Sequence, residues 1–249
     1  MSNKILIVGD QHGRQFWRKA IDTDYPVVFL GDYLDPYQYE GITPEMALEE
    51  FKEVLKFAKM EPDRVTLLLG NHMLHYVGLS DDTCRLDWKN RKEIYNLMQE
   101  NKPLFQHAFK WGNTLFTHAG ITEGWLKQSG YDPNPDTIAD QLNKNIQFTD
   151  EYLMSPTWSG LGGLQDPRGD IGRSRGGYSP YGGPNWADLT EMYYGSAFKD
   201  SLTQIIGHSQ LKDTGTFFHK DNFYCCDSRA VFIWDGKNLK LFSKKFESL

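Results

Sequence analysis

Five short blocks of this chain place metal-ligating side chains directly after apolar runs. Ile5-Leu6-Ile7-Val8 leads into Gly9-Asp10-Gln11-His12-Gly13, and Val27-Val28-Phe29-Leu30 into Gly31-Asp32-Tyr33-Leu34-Asp35. Val65-Thr66-Leu67-Leu68-Leu69 leads into Gly70-Asn71-His72, Thr114-Leu115-Phe116-Thr117 into His118-Ala119-Gly120, and Ile205-Ile206 into Gly207-His208. The candidate ligands are therefore Asp10, His12, Asp32, Asn71, His118 and His208. Asp10 and His12 are two apart, so in extended chain they share a face and could reach one cation. Oxygen and imidazole donors without a thiolate suit Mn, Fe or Zn better than a structural zinc of the cysteine type. Six donors exceed one tetrahedral site, which points to two cations sharing a carboxylate. Asp32, flanked by the same punctuation on both sides, is the expected shared ligand. Two such ions bind the attacking and leaving oxygens of an in-line displacement, and a water between them becomes a hydroxide nucleophile near neutral pH.

Strands and helices in alternation must position these blocks. Residues 14–24, with Phe16, Trp17, Ala20 and Ile21, have a plausible helical face. Thr43-Pro44-Glu45 starts a clearer helix: a Thr N-cap, Pro at the first position and an acid in the first turn, with helical apolar spacing to about Met60. This order argues for an α/β unit with largely parallel pairing. Residues 74–109 read as mostly helical, and 121–153 as helical with a break at Asp132-Pro133-Asn134-Pro135. The stretch 155–186 is dense in Gly, Pro, Arg and aromatics and reads as a functional loop. The tail reads as strands at 216–218, 223–226, 230–234 and 239–242.

The 249 residues, 39% hydrophobic and 24% charged, suit one globular domain over 1–249 with a substantial core. A net charge of −6 and no basic stripe disfavour stable nucleic-acid binding, and with it a nuclease. No apolar run approaches the roughly 18 residues of a membrane span. Three cysteines, Cys84, Cys225 and Cys226, make no disulfide framework, and a cytoplasmic location is the simplest expectation. Cys225 and Cys226 read as core, and His75, His107 and His219 as surface or hydrogen-bonded histidines rather than ligands.

The five blocks, in order, resemble those of the calcineurin-like metallophosphoesterases, and most closely the phosphoprotein phosphatase branch. That resemblance implies a four-layer α/β/β/α sandwich with a dinuclear site at the C-terminal ends of strands. It implies that Asp10, His12 and Asp32 hold one metal, and that Asp32 bridges to a second held also by Asn71, His118 and His208. His72 resembles the family's general acid, and Asp35 the carboxylate that orients it and raises its pKa. Thr157-Trp158-Ser159 resembles a further block, as does Arg175-Gly176-Gly177-Tyr178-Ser179-Pro180-Tyr181-Gly182, whose Arg grips phosphate with a bidentate fork.

Two departures bear on substrate. The family's second block continues Asp-Arg-Gly, the Arg touching phosphate, where this chain has Asp35-Pro36-Tyr37. Arg14 or Arg173 is the expected stand-in. The third block normally ends in Glu, here Met73. The expectation is a phosphatase using two divalent ions, manganese first and Fe or Zn next, acting on a phosphorylated protein of the Ser/Thr type. The alternative is a dinucleoside tetraphosphate or other nucleotide substrate, which the His118-Ala119-Gly120 form resembles. A non-catalytic interaction module on the same fold would have lost ligands, and none is missing.

Overall fold

Continuous apolar strands, rather than alternating ones, signal sheets buried on both faces, and that is what these runs build. The computed structural model describes residues 3–79, 85–149 and 166–243. The first sheet has the order β11-β10-β1-β2-β3-β4, from β1 (Ile5–Val8), β2 (Val27–Phe29), β3 (Val65–Leu68), β4 (Phe105–Gln106), β10 (Val231–Trp234) and β11 (Leu239–Ser243). The second has the order β5-β6-β7-β9-β8, from β5 (Ala108–Trp111), β6 (Thr114–Thr117), β7 (Thr203–Ile206), β8 (Phe218–Lys220) and β9 (Phe223–Cys225). β1, β2, β3 and β4 are parallel neighbours, as are β6, β7 and β9.

The period of two divides each central run between two cores. Ile5, Ile7, Val28 and Leu68 pack against Phe116 and Ile205 of the second sheet. Leu6, Val8, Val27, Phe29 and Leu67 face the other way, onto Phe51, Val54 and Ala58 of α1 (Pro44–Met60) and Ile94 and Met98 of α3 (Arg91–Glu100). The outer face of the second sheet carries α4 (Glu123–Ser129) and α5 (Ile138–Asn143) through Trp125, Ile138 and Leu142, and α6 (Leu189–Gly195) through Met192. The result is the expected order of helices, sheet, sheet, helices. Helix α1 starts where its signals lie: Thr43 Oγ1 accepts from the Met46 N–H at 3.2 Å, with Pro44 following.

Three expectations need correction. Residues 16–20 form a 3₁₀ turn rather than an α-helix, although Phe16, Trp17 and Ala20 are buried as that face required. Among the described residues of 74–109 the helical expectation holds for Leu74, which ends a short helix, for α3 and for a 3₁₀ turn at 102–104. Pro103 stops the helix, and Phe105 then pairs with Leu67 while Ala108–Trp111 joins the second sheet. Strand β8 begins at Phe218, where 216–218 was the expected strand. Thr157-Trp158-Ser159 lies outside the described residues. Among the described residues no helix is long and apolar enough to cross a membrane.

A buried polar contact links the two sheets, Trp234 Nε1–H donating to Thr114 Oγ1 at 2.9 Å. Thr114→Val keeps the shape and orphans the indole N–H. It should lower unfolding stability by about 1–3 kcal/mol, measured by urea denaturation, while leaving metal uptake unchanged.

Candidate metal centre

The parallel strands β1, β2 and β3 bring Asp10, His12, Asp32, Asn71 and His72 to one edge, and β6 and β7 add His118 and His208 from the second sheet. Backbone carbonyls fix the imidazoles. His12 Nδ1 donates to Leu34 O at 2.7 Å and His118 Nδ1 to Leu30 O at 2.8 Å. The opposite nitrogens are therefore bare and turned inward. His12 Nε2 faces Asp32 Oδ2 at 3.8 Å, and His118 Nε2 faces the same oxygen at 3.5 Å. His118 Nε2 also lies 2.9 Å from Asn71 Oδ1 and 3.2 Å from His208 Nδ1, which is 2.8 Å from that Asn71 oxygen. Asp10 accepts the His208 backbone N–H at 3.1 and 3.0 Å, and its Oδ1 is 4.0 Å from His118 Nδ1. Two triads of donor atoms, His12-Asp32-His72 and Asp32-His118-His208, are joined through Asp32, and a third, Asp35-His72-His75, adjoins them through His72; the donors of each lie within 4.8 Å of one another. All six sequence-derived ligand candidates are brought together, Asp10 at the flank and Asn71 against His118 and His208 rather than inside a triad.

The electrostatics suit cations. Burial pushes His12 down to about 3 and also lowers His118 and His208, so all three rings are neutral, the form that ligates metal. Burial opposes charge on Asp32, but His118, His72 and His12 outweigh it and hold the carboxyl below its ordinary value. Burial raises Asp10, with Asp227 and Asp32 adding to the effect. Burial likewise pushes Asp227 up to about 7 against the pull of Arg14. A proton on His208 Nδ1 could serve two acceptors. A cation would satisfy His118 Nε2, His208 Nδ1 and Asn71 Oδ1 together and relieve the crowded carboxylates. The residues present therefore fit divalent metal ions.

The backbone is shaped for this convergence. A Cβ on Gly70 would stand 2.1 Å from Asp32 Oδ1, and one on Gly207 2.2 Å from Asp10 Oδ1. Each glycine makes room for a carboxylate. His12, Asp32, Asp35, His208 and Arg85 all have positive φ, between 47° and 70°. Nine non-glycine residues share that conformation among those described, so more than half of this strain is at one place.

Beside the triads, His72 Nδ1 lies 2.8 Å from Asp35 Oδ2, and the His72 N–H donates to Asp32 Oδ1 at 2.9 Å. Asp35 is fully enclosed by partners: His75 Nε2 is 2.9 Å from its Oδ2, and Tyr76 OH donates to Oδ1. Burial opposes its charge, but His75 and His72 outweigh it, so the carboxyl is held well below the usual range. An anion there stabilises positive charge on the His72 ring. His72 Nε2 accepts from Arg85 Nη2 at 3.0 Å.

The candidate arginines divide. Arg175 donates Nη2 to Ser209 Oγ at 2.7 Å, its Nε lies 2.8 Å from Asp188 Oδ2, and its charge contributes to lowering His118 and His208. Arg173 is exposed and makes no hydrogen bond or ion pair through its side chain among the described residues. Arg14 is held by Glu40, at 2.6 Å from Nε and 2.9 Å from Nη2. Sequence reasoning missed His75, Tyr76, Arg85 and Asp227. His75 sits three residues beyond His72, a helical neighbour spacing that could have flagged it. Asp227 follows the apolar run Phe223–Cys226, the same punctuation without the glycine. His107 is buried against Asn185 at 2.9 Å, and His219 stacks on Tyr224 with ring centroids 4.1 Å apart, neither within the triads. Cys225 and Cys226 are buried, and burial pushes both thiols up.

Comparison with known proteins agrees with this geometry. The family model described as calcineurin-like phosphoesterase matches residues 3–209. The chain is 30% identical over 129 residues to the symmetrical bis(5'-nucleosyl)-tetraphosphatase of Marinomonas sp. (strain MWYL1), a match covering 45% of this chain. It spans 44% of that relative's length. In fold it is similar to a protein serine/threonine phosphatase from Saccharomyces cerevisiae, with a TM-score of 0.57 at 16% identity, covering 99% of this chain and 81% of that one.

Charge crowding gives the metal-free protein a distinctive pH response. Asp227, raised to about 7 when folded, takes up a proton the unfolded chain does not between about pH 4 and 7. Relative to Asp227→Asn, chelator-stripped wild type should therefore gain stability, by a few kcal/mol at most, as pH falls from 8 to 5, while both proteins lose stability below about pH 6.5 through His12, His118 and His208, whose rings burial keeps neutral when folded. Asp35, held low, acts in the opposite sense and removes stability below about pH 4. Loading with manganese should flatten that difference between the two proteins from pH 8 to 5, as followed by thermal unfolding at each pH.

Proposed function

This chain belongs to the calcineurin-like phosphoesterase family, and from that premise we propose that it is a metal-dependent phosphatase acting on phosphorylated Ser/Thr side chains. The observation that carries this reading is Asp32 Oδ2, which stands between His12 Nε2 and His118 Nε2. In it, Asp10, His12 and Asp32 would hold one divalent ion, and Asp32, Asn71, His118 and His208 would hold the other, within a single domain. Manganese is the first choice for both, with Fe or Zn as alternatives. When bound, such a pair supplies Lewis-acid polarisation of the phosphoryl group and activation of water.

The protein's own groups do the rest. Arg175, whose Nη2 donates to Ser209 Oγ next to His208, would grip phosphoryl oxygens by exchanging its Ser209 or Asp188 contact for them. Asp35 holds the His72 ring by Nδ1 and turns Nε2 toward the site, so that a proton on Nε2 can pass to the leaving oxygen. Fixed by its His75 and Tyr76 contacts, the Asp35 carboxylate keeps that ring in one orientation. The neutral imidazoles stay available as ligands through the working pH range.

Hydrolysis of dinucleoside tetraphosphates is the second reading. It is favoured by the Marinomonas relative and by a cleft of roughly 600 Å³ lined by Tyr37 and Arg85, where Tyr39, 74% exposed, and Trp88, 59% exposed, could receive a base.

Protein stripped with chelator and reloaded with manganese should carry two ions per chain by elemental analysis. It should turn over p-nitrophenyl phosphate and phosphoserine or phosphothreonine peptides faster than diadenosine tetraphosphate. Asp32→Asn should lose both ions and at least about 100-fold in rate. Preference for the dinucleotide would favour the second reading. Inactivity on all three substrates with manganese, zinc, iron or magnesium would refute both.

A further inference from the structure

We propose that Arg85 is a phosphate-gripping residue on the leaving-group side of the site, taking over the task of the arginine absent after Asp35. This rests on the reading that phosphoryl groups bind beside His72. Arg85 comes from a different loop, the one that follows α2 (Asn71–Leu74) and precedes α3. Its guanidinium nevertheless arrives at the reacting edge, with Nη2 3.0 Å from His72 Nε2.

The chemistry of that contact is informative. A guanidinium only donates, and it does not give up its charge in a protein. The bond therefore requires a bare Nε2 on His72, while Nδ1 is turned to Asp35. A proton destined for a leaving oxygen must occupy that same Nε2. Arg85 therefore stands where a group bonded to the leaving oxygen would lie, with N–H groups that can turn to another acceptor. A phosphoryl oxygen beside His72 is such an acceptor. It would also answer a second feature: Nε and Nη1 of Arg85 are buried and have no hydrogen-bond partner among the described residues. Buried guanidinium N–H groups without acceptors are costly, and a tetrahedral anion supplies several at once.

The residue is held for this purpose. Its guanidinium carbon lies 3.6 Å from the centre of the Tyr37 ring, a close cation–π contact. Its backbone is in the left-handed region at φ 70°, unusual for an arginine. The competing arginines are accounted for: Arg14 is clamped by Glu40, and Arg173 faces solvent. Arg175 approaches from the His208 side and Arg85 from the His72 side, so an anion between them would be held by two forks.

The test compares wild type, Arg85→Ala and Arg85→Lys, all loaded with manganese. Affinity for inorganic phosphate is measured by calorimetry and kcat/KM with p-nitrophenyl phosphate. Arg85→Ala should weaken phosphate binding about 10- to 100-fold and lower kcat/KM by a similar factor. Arg85→Lys should recover only a small part, because a point charge lacks the fork. Added guanidinium ion should restore part of the activity of Arg85→Ala, and manganese content and melting temperature should stay at wild-type values. Wild-type phosphate affinity in Arg85→Ala, or turnover above wild type, would overturn the proposal and mark Arg85 as a plug on His72. Loss of phosphate binding in Arg85→Ala in a chain that hydrolyses nothing would support the grip while overturning the phosphatase reading. Wild-type protein that neither binds phosphate nor turns over substrate would overturn both.

Discussion

Buried donors without enough counter-charge are the constraint on which this structure depends. Asp10, Asp32 and Asp227 are each nearly inaccessible and electrostatically coupled, and three neutral imidazoles turn bare nitrogens toward the same region. Such a gathering opposes folding unless something positive occupies it. The Arg14 side chain offsets part of the charge on Asp10 and Asp227, but its fork is already committed to Glu40. Metal binding and folding are therefore coupled in this chain, and the preorganised donors keep ligand rearrangement on binding small.

The scaffold imposes the convergence through its cheapest elements. Central strands of three or four residues are buried on both faces, so their direction and register leave little freedom. Each ends where its neighbour's loop begins, and the loops interlock through glycines pressed against carboxylates. Carbonyls of Leu30 and Leu34, at the exits of β2, set the tautomers of His118 and His12. One strand end thus orients ligands contributed by two others, and left-handed backbone at His12, Asp32 and His208 completes the turn inward. Strain of that kind persists only where surrounding packing over-determines it.

Most of this site was legible because its ligands directly follow apolar runs, and parallel strands put such ends side by side. The supporting groups were less so. His75 and Tyr76 act through Asp35, which is distant in sequence, and Tyr76 also takes the Asp87 N–H at 2.9 Å. Asp227 enters from an antiparallel return whose position beside β1 is a tertiary fact. Strand β4 escaped notice because two residues carry no period. Its pairing with β3 decides its conformation, against the helical pattern of the charged segment before it. Arg85 belongs to no block and lies in a loop, so no spacing could announce it.

The departures from the family's blocks become intelligible as one rearrangement. Met73, where the resemblance led to an expected Glu, is fully buried with Leu74 in the core beneath the first sheet. That packing anchors the short helix carrying His72 and places His75 and Tyr76 around Asp35. Pro36 and Tyr37 replace an Arg-Gly pair, and the Tyr37 ring meets the edge of His12 at 5.2 Å while Arg85 lies on its face. The Arg14 guanidinium stands 5.2 Å from the same ring. Tyr37 thus fills the space an arginine side chain would need and provides a seat for a guanidinium from elsewhere. The positive charge is moved rather than lost. Because its new carrier lies just before Trp88, the charge is tied to the wall of the cleft lined by Tyr37, Arg85 and Trp88.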